Sequence, residues 1–365
     1  KSSYSVVIQT SDGSATYSKT FSIAVNNAND SPTDIALSAN AVDENLASGT
    51  VVGELSTTDA DNGNTFTYTL VGGGSDNANF SISGANLVTA AELDFEAKNS
   101  YSVVIQTSDG SSTYSKTFSI AVNNTNDTPT DISLSANAVD ENLASGTVVG
   151  GLSTTDDDSG DTFTYTLVGG GSDNDRFSIN GANLVTAAVL DFETKSSYSV
   201  VIQTSDGSST YSKTFTIAVN NTNDSPTDIS LSQTVFFEGI VSGSTLATIT
   251  TTDQDTADTH TFTLVSSGDA QDDDNASFTV SGTSLITNDT LDFETKSTYA
   301  LYLEVYDGTS QYTEAFSLTV SDTNDTAPTA IGLSTTTFAE DIASGSVIAT
   351  LSATDIDTAS LNSFS

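Results

Sequence analysis

Carboxylates dominate the chemistry available to this chain, and they recur at fixed spacing. Glutamates stand at Glu44, Glu141, Glu238 and Glu340, each followed five residues later by a glycine, at Gly49, Gly146, Gly243 and Gly345. An Asp-x-Asp pair comes next, at Asp59/Asp61, Asp156/Asp158, Asp253/Asp255 and Asp355/Asp357. The run Leu-Asp-Phe-Glu supplies Asp94/Glu96, Asp191/Glu193 and Asp292/Glu294, and an Asp-Gly step supplies Asp12, Asp109, Asp206 and Asp307. Shortly before a proline, an Asn-Asp step brings Asp30, Asp127, Asp224 and Asp325. Paired carboxylates can share acid and base roles in glycoside cleavage, or they can ligate hard cations. Their return in every copy argues for a structural task repeated along the chain, so the chain is not expected to be an enzyme.

Composition narrows the partners. The 365 residues hold 48 Asp and Glu against 8 Lys and Arg, one His and no Cys, Met or Trp, for a formal net charge of −40. Without sulfur there are no thiolate zinc sites, disulfides or cysteine nucleophiles. A single histidine cannot supply a Ser-His-Asp triad to each copy. So acidic a surface repels phosphate backbones, because nucleic-acid affinity comes from Lys and Arg neutralising them; cations are the natural partners. No stretch approaches the roughly 20 apolar residues that span a bilayer, and Lys1–Thr10 reads as a strand and not as a signal peptide. The avoidance of cysteine fits an exported bacterial protein, with any targeting signal outside this segment.

The elements that must position these acids follow from an internal repeat. Tyr4, Tyr101 and Tyr198 are 97 residues apart, as are Pro32, Pro129 and Pro226, while the next steps, to Tyr299 and Pro328, are 101 and 102. Four residues enter in the acidic stretch 268–275 and one more in the later linker. The expected parse is a partial repeat at 1–31, repeats at 32–128, 129–225 and 226–327, and a partial repeat at 328–365, as in a section of a longer molecule. Phe118, Ile120 and Val122 alternate with Ser119 and Ala121, the period of a strand with one buried face. Comparable runs at 35–38, 51–58, 66–71, 80–83, 86–89, 101–107 and 115–122 predict about seven strands per repeat. Turn formers such as Gly72-Gly73-Gly74 and Asp109-Gly110 separate them. The expectation is an all-β fold: tandem seven-stranded immunoglobulin-like β-sandwiches, one core each.

The five acidic slots, in this order and spacing, resemble the cadherin family, including the cadherin-like repeats of large bacterial surface proteins. The resemblance covers essentially the whole chain. Linkers of that family read Asp-x-Asn-Asp-Asn-Ala-Pro, and Asp322-Thr323-Asn324-Asp325-Thr326-Ala327-Pro328 follows that pattern except at Thr326. The earlier linkers depart further: in Asn124-Thr125-Asn126-Asp127-Thr128-Pro129, Asn replaces the first Asp and one residue is missing.

The resemblance implies Ca²⁺ at each junction, with ligands from one repeat, the linker and the next repeat. At 123–129 it implies Glu44, Asp94, Glu96, Asn126, Asp127, Asp156, Asp158 and Asp206. At 220–226 it implies Glu141, Asp191, Glu193, Asn223, Asp224, Asp253, Asp255 and Asp307. At 322–328 it implies Glu238, Asp292, Glu294, Asp322, Asn324, Asp325, Asp355 and Asp357, and at 27–32 it implies Asn29, Asp30, Asp59, Asp61 and Asp109. Seven carboxylates brought to one place would repel strongly without a counter-ion, and Ca²⁺ takes six to eight oxygens, whereas Mg²⁺ insists on octahedral geometry. Two ions are expected at the shorter junctions and three at 322–328.

The implied role is a calcium-rigidified extracellular spacer in a bacterial adhesin or surface filament, with neighbouring copies of the chain as possible lateral partners. The alternative is direct binding of polysaccharide or of a partner chain in adhesion. A solvated acidic face is the plain competitor for the slots. Asp272-Asp273-Asp274 reads as a solvated loop, His260 as an ordinary residue at a strand start, and Tyr4, Tyr101, Tyr198 and Tyr299 as packing residues.

Overall fold

The structure is a computed structural model that describes residues 2–268, 272–357 and 363–364. Part of the acidic insertion predicted at 268–275 therefore lies outside the described residues, as do the extreme ends of the two partial repeats. Contacts group the chain into two compact units. The first holds 1–136, 150–184 and 200–215, and the second holds 137–149, 185–199 and 216–365, so the boundary passes through the middle repeat.

The first unit begins with an antiparallel hairpin, β1 (Ser3–Ser11) and β2 (Thr16–Ala24). Eight strands follow between 32 and 128. They are β3 (Asp34–Leu37), β4 (Ala41–Asp43), β5 (Val51–Thr58), β6 (Thr67–Leu70), β7 (Phe80–Ser83), β8 (Asn86–Thr89), β9 (Ser100–Ser108) and β10 (Thr113–Asn123). They form two four-stranded sheets, ordered β3-β5-β8-β7 and β4-β10-β9-β6. All seven expected runs are strands. The eighth, β4, pairs parallel to β10 over three residues, too short for alternation to be read from sequence.

Alternation builds the core. In β9, Tyr101, Val103, Ile105 and Thr107 point inward and their neighbours do not. Tyr101, Val103 and Ile105 join Ile35, Val52, Leu55, Phe80 and Leu87 of the opposing sheet and Ile120 and Val122 of β10 in one core. Phe80 and Tyr101 stack edge to face with ring centres 5.7 Å apart, the preferred aromatic geometry. The chain changes sheet between β3 and β4, and there it runs against Gly53. A Cβ on Gly53 would lie 2.5 Å from the Ala39 carbonyl oxygen, so the close approach requires glycine. The register of β5 against β8 shifts at the same point.

The second unit contains the repeat at 226–327 with the same plan: sheets whose strands include Asp228–Leu231, Thr245–Thr252, Phe278–Ser281 and Ser284–Thr287 on one side, and Val235–Phe237, Thr261–Leu264, Thr298–Tyr306 and Gln311–Ser321 on the other. Its core is built from Ile229, Phe236, Ile249, Leu285, Leu301, Leu303, Val305 and Leu318. Tyr101, Tyr198 and Tyr299 are buried, in keeping with a packing role, but Tyr4 is 53% exposed, because its two-stranded hairpin has no second sheet to pack against among the described residues. Asp274 differs from the solvated loop expected of it: it pairs with Lys296 and accepts the Ala300 N–H at 2.8 Å. Asp76 does the same for Lys98 and the Ser102 N–H, so this aspartate pins the loop after the glycine-rich turn to the neighbouring strand.

Candidate metal centres

Each acidic slot falls at the end of a strand or in the loop beside it, which carries it to a linker. Glu44 follows β4 directly and is 2% exposed. Its two carboxylate oxygens accept the N–H groups of Phe95, at 2.6 Å, and of Thr125, at 2.8 Å, tying the Leu-Asp-Phe-Glu loop to the linker. Charge-assisted bonds of this kind are the stronger class, and they hold a buried carboxylate in one orientation. Glu141 repeats the arrangement with Phe192 and Thr222, and Glu238 repeats it with Phe293 and Thr323.

Around 123–129 the predicted acids come together. Oxygens of Glu44, Asp94 and Glu96 lie within 4.8 Å of one another, and so do those of Glu96, Asp127 and Asp158. Asp156 and Asp158 form a further group with Asp161. The linker is woven into these acids. Asp127 N–H donates to Asp158 at 2.6 Å, and Asn126 donates its side-chain amide to Asp206 at 3.2 Å. Asn124 donates to Glu96 at 2.8 Å. Asp206 is set by its Asp-Gly turn, where its Oδ1 takes the N–H groups of Ser208 and Ser209 at 2.6 and 2.7 Å.

The same weave appears around 220–226. Glu141, Asp191 and Glu193 form one group, Asp224 N–H donates to Asp255 at 2.6 Å, and Asn223 donates to Asp307 at 3.1 Å. At 27–32, Asp30 N–H donates to Asp61 at 2.6 Å and Asn29 donates to Asp109 at 3.1 Å. Asp61 N–H in turn reaches the Asp59 carboxylate at 2.8 Å.

The 322–328 junction is wired differently. Glu238, Glu294 and Asp322 group together, and a cleft of 410 Å³ is lined by Asp292, Glu294, Asp325 and Thr326. Asp357 accepts the N–H of Thr326 at 3.0 Å, where the other junctions use the linker aspartate itself. The extra residue thus displaces Asp325 by one place relative to the following strands, and the Thr326 hydroxyl bonds the Asp325 carboxylate at 3.2 Å. Asp355 accepts the Asp357 N–H at 3.2 Å. Asn324 is exposed.

Charge is concentrated without compensation. Burial first, then the neighbouring charges of Glu44, Asp127 and Asp158, push the Glu96 carboxyl above its ordinary value. Glu193 is raised by burial and by Glu141, Asp255 and Asp224. Asp127, Asp224, Glu294 and Asp357 are likewise raised, burial leading in each. In contrast, the N–H groups of Ser209 and Ser208 hold Asp206 below its ordinary value, and those of Thr323 and Phe293 hold Glu238 below. A bound cation would supply the charge the raised group lacks. Geometry points the same way: among the described residues, Asp59 Oδ2, Asp156 Oδ2 and Asp357 Oδ1 are buried without a hydrogen-bond partner. A carboxylate oxygen pays heavily for such a position unless a metal takes it. The donors are all oxygens, which suits Ca²⁺.

Two participants escape a reading by recurrent identity. Asp161 groups with Asp156 and Asp158, but its counterparts are Asn64 and Asp258, so the position changes type between copies. His260, expected to be an ordinary residue, stands just before its strand and bonds Asp253 Oδ2 at 2.8 Å. The histidine ring is 17% exposed and the carboxylate 3%. Phe66 and Phe163 hold that place in the other copies and make no such bond.

The cadherin domain family matches residues 39–123 and 136–220. Human Protocadherin Fat 4 is 28% identical over 335 residues, which is 87% of this chain and 7% of that protein. Mouse Cadherin EGF LAG seven-pass G-type receptor 1 is 30% identical over 262 residues, 66% of this chain and 8% of that one. The chain thus spans less than a tenth of these relatives. Among solved structures, the Protocadherin GammaB4 extracellular domain superposes with a TM-score of 0.65 at 22% identity, covering 98% of this chain and 62% of that one. Mouse Cadherin-23 EC22-24 gives 0.57 at 23% identity, covering 78% and 96%. No helix among the described residues is long and apolar enough to cross a membrane.

Proposed function

Because the chain carries cadherin domain repeats, a family of extracellular adhesion domains and not of enzymes, we propose that this segment is a calcium-rigidified spacer in a cell-surface adhesion protein. The observation that carries the reading is the weave at each junction. At 123–129 the linker N–H of Asp127 is bonded to Asp158, which groups with Glu96 and Asp127 and with Asp156 and Asp161, so a cation drawn in by those acids also fixes the linker. When bound, Ca²⁺ supplies positive charge shared among several carboxylates. The chain's residues do the rest: Glu44, Glu141 and Glu238 hold the strand ends to the linkers, and Asp158, Asp255 and Asp357 hold the linkers to the following strands.

The ligand sets are those named from the sequence, with Asp161 and Asp258 added at their junctions. Two ions are assigned to 123–129 and 220–226 and three to 322–328, where Asp322 adds a carboxylate. The repeat boundaries are 32–128, 129–225 and 226–327, with partial repeats at 1–31 and 328–365. A bacterial surface adhesin or filament is the parent we favour, on the absence of cysteine and the near-identity of the first two full repeats, although the relatives compared are animal proteins. Direct recognition of polysaccharide has less support, because the recurring tyrosines Tyr101, Tyr198 and Tyr299 face the cores and are not free to stack on a sugar.

Limited digestion of the full chain with an Asp-specific protease tests the spacer. In millimolar Ca²⁺ the linkers at 123–129 and 220–226 should resist cleavage, and in excess chelator they should be cut first, releasing fragments near the repeat length. Equal cleavage in both buffers would remove the calcium clamp.

A further inference from the structure

Two residues of the first two full repeats adopt a backbone conformation that their side chains make costly. Asn45 and Asn142 have φ of 59° and 60°, and among the described residues they are the only non-glycine positions with positive φ. Residues with a Cβ avoid this region, with asparagine among the more tolerant. The third full repeat places Gly239 there, at φ 79°, which removes the cost. The same backbone bond is made in all three: the N–H groups of Asn45, Asn142 and Gly239 donate to Leu93, Leu190 and Leu291 at 3.0, 3.0 and 2.8 Å.

The side chain explains why asparagine is kept where glycine would fit. Asn45 Nδ2 donates to Asp127 Oδ1 at 2.8 Å, and Asn142 Nδ2 donates to Asp224 Oδ1 at 2.8 Å. Each bond runs from the body of a repeat to the linker aspartate that leaves it, across 82 residues of chain. The amide occupies one site on Oδ1 and so orients the carboxylate, which keeps further acceptor capacity; in Asp127 that carboxylate groups with Glu96 and Asp158. At 322–328, Gly239 offers no amide, and the hydroxyl of the adjacent Thr326 holds Asp325 instead.

We propose that Asn45 and Asn142 are positioning residues that latch the linker aspartates Asp127 and Asp224 in their cation-ligating orientation, and that the junction served by Gly239 lacks this latch. This rests on the calcium reading above. Neither asparagine is proposed as a ligand; each acts through the aspartate it holds, as outer partners of metal ligands do.

The conformation makes the test clean. Asn45→Gly removes the amide while relieving the backbone, so a weaker calcium response cannot be put down to added backbone strain, whereas a purely structural role predicts a lower melting temperature in chelator with the calcium midpoint unmoved. Hydrogen exchange of the linker peptides in the full chain, followed against calcium concentration, reads each junction separately. For Asn45→Gly we expect the calcium midpoint of 123–129 to rise about fivefold while that of 220–226 stays put, and for Asn142→Gly the reverse. The melting temperature in chelator should not fall in either variant. Unchanged midpoints in variants of a wild type that does respond to calcium would overturn the latch and leave the spacer reading standing. A wild type whose linkers show no calcium response would overturn both.

Discussion

At 123–129, Glu44 accepts the N–H groups of Phe95 and Thr125, Asp127 N–H reaches across to Asp158, and Asn45 holds the Asp127 carboxylate. At 322–328, Glu238 accepts the same pair of groups from Phe293 and Thr323, but Thr326 takes over both the N–H that reaches Asp357 and the bond to the linker aspartate. The upstream half of the junction is thus retained through sequence divergence, and the linker half is rebuilt. This is the order physical chemistry favours. A carboxylate as buried as Glu44 must have its bonds satisfied and tolerates little change, whereas a half-buried linker can exchange one backbone N–H donor, that of an aspartate, for another, that of a threonine, at small cost.

The largest effect should come from removing calcium. Chelation is expected to lower the melting temperature of the full chain by about 10 °C, as loss of several bound ions at each junction would. A melt unchanged by chelator would break the comparison at its root. Next, replacing the shared element should hurt both junctions alike. Glu44→Ala and Glu238→Ala each strand two backbone N–H groups, and each should cost about 2–4 kcal/mol in denaturant unfolding of the surrounding repeat. A cost at one glutamate and none at the other would show that the upstream half is not conserved in energy as it is in geometry.

A smaller effect sharpens the linker half. Deleting Thr326 together with Gly239→Asn gives 322–328 the spacing and latch of 123–129. No atom lies within 4 Å of a Cβ added at Gly239, so the asparagine meets no steric block and carries only the positive-φ cost that Asn45 and Asn142 already bear. The calcium midpoint of that linker should move toward that of 123–129 by about threefold, read by hydrogen exchange. No movement would assign the difference to Asp322 instead.

The smallest effect is in pH. Glu96, Asp127, Glu193 and Asp224 are raised in the folded, ion-free chain, so that state binds more protons than the unfolded one between the ordinary carboxylate range and the raised values. In chelator, stability should therefore rise slightly as pH falls from neutrality toward that range. With Ca²⁺ bound, protons compete with the ion and the slope should flatten or reverse. A chelated protein that loses stability over this interval would contradict the crowding of like charge.

Much of this architecture is written in period and alternation. The run Tyr101–Thr107 declares a half-buried strand by itself, and the carboxylate slots declare themselves by returning with the repeat. Features that depend on one atom meeting another are hidden. Ala41–Asp43 is too short to alternate, yet it moves the chain between sheets. Asp161 is masked because its counterpart is Asn64, and Asn45 because its counterpart is Gly239, so a search for recurring identity passes over both. Thr326 reads as a lapse in a linker motif until its N–H is seen on Asp357.

The central claim is that these acidic junctions bind calcium and need it to hold their linkers. Calorimetric titration of the full chain with Ca²⁺ tests this most directly. The account predicts saturable binding in the submillimolar to millimolar range of extracellular calcium modules, with about two ions at each of 123–129 and 220–226 and a further set at 322–328. Binding that never saturates, or that Mg²⁺ reproduces at equal concentration, would reduce the acids to a diffuse counter-ion atmosphere and contradict the account.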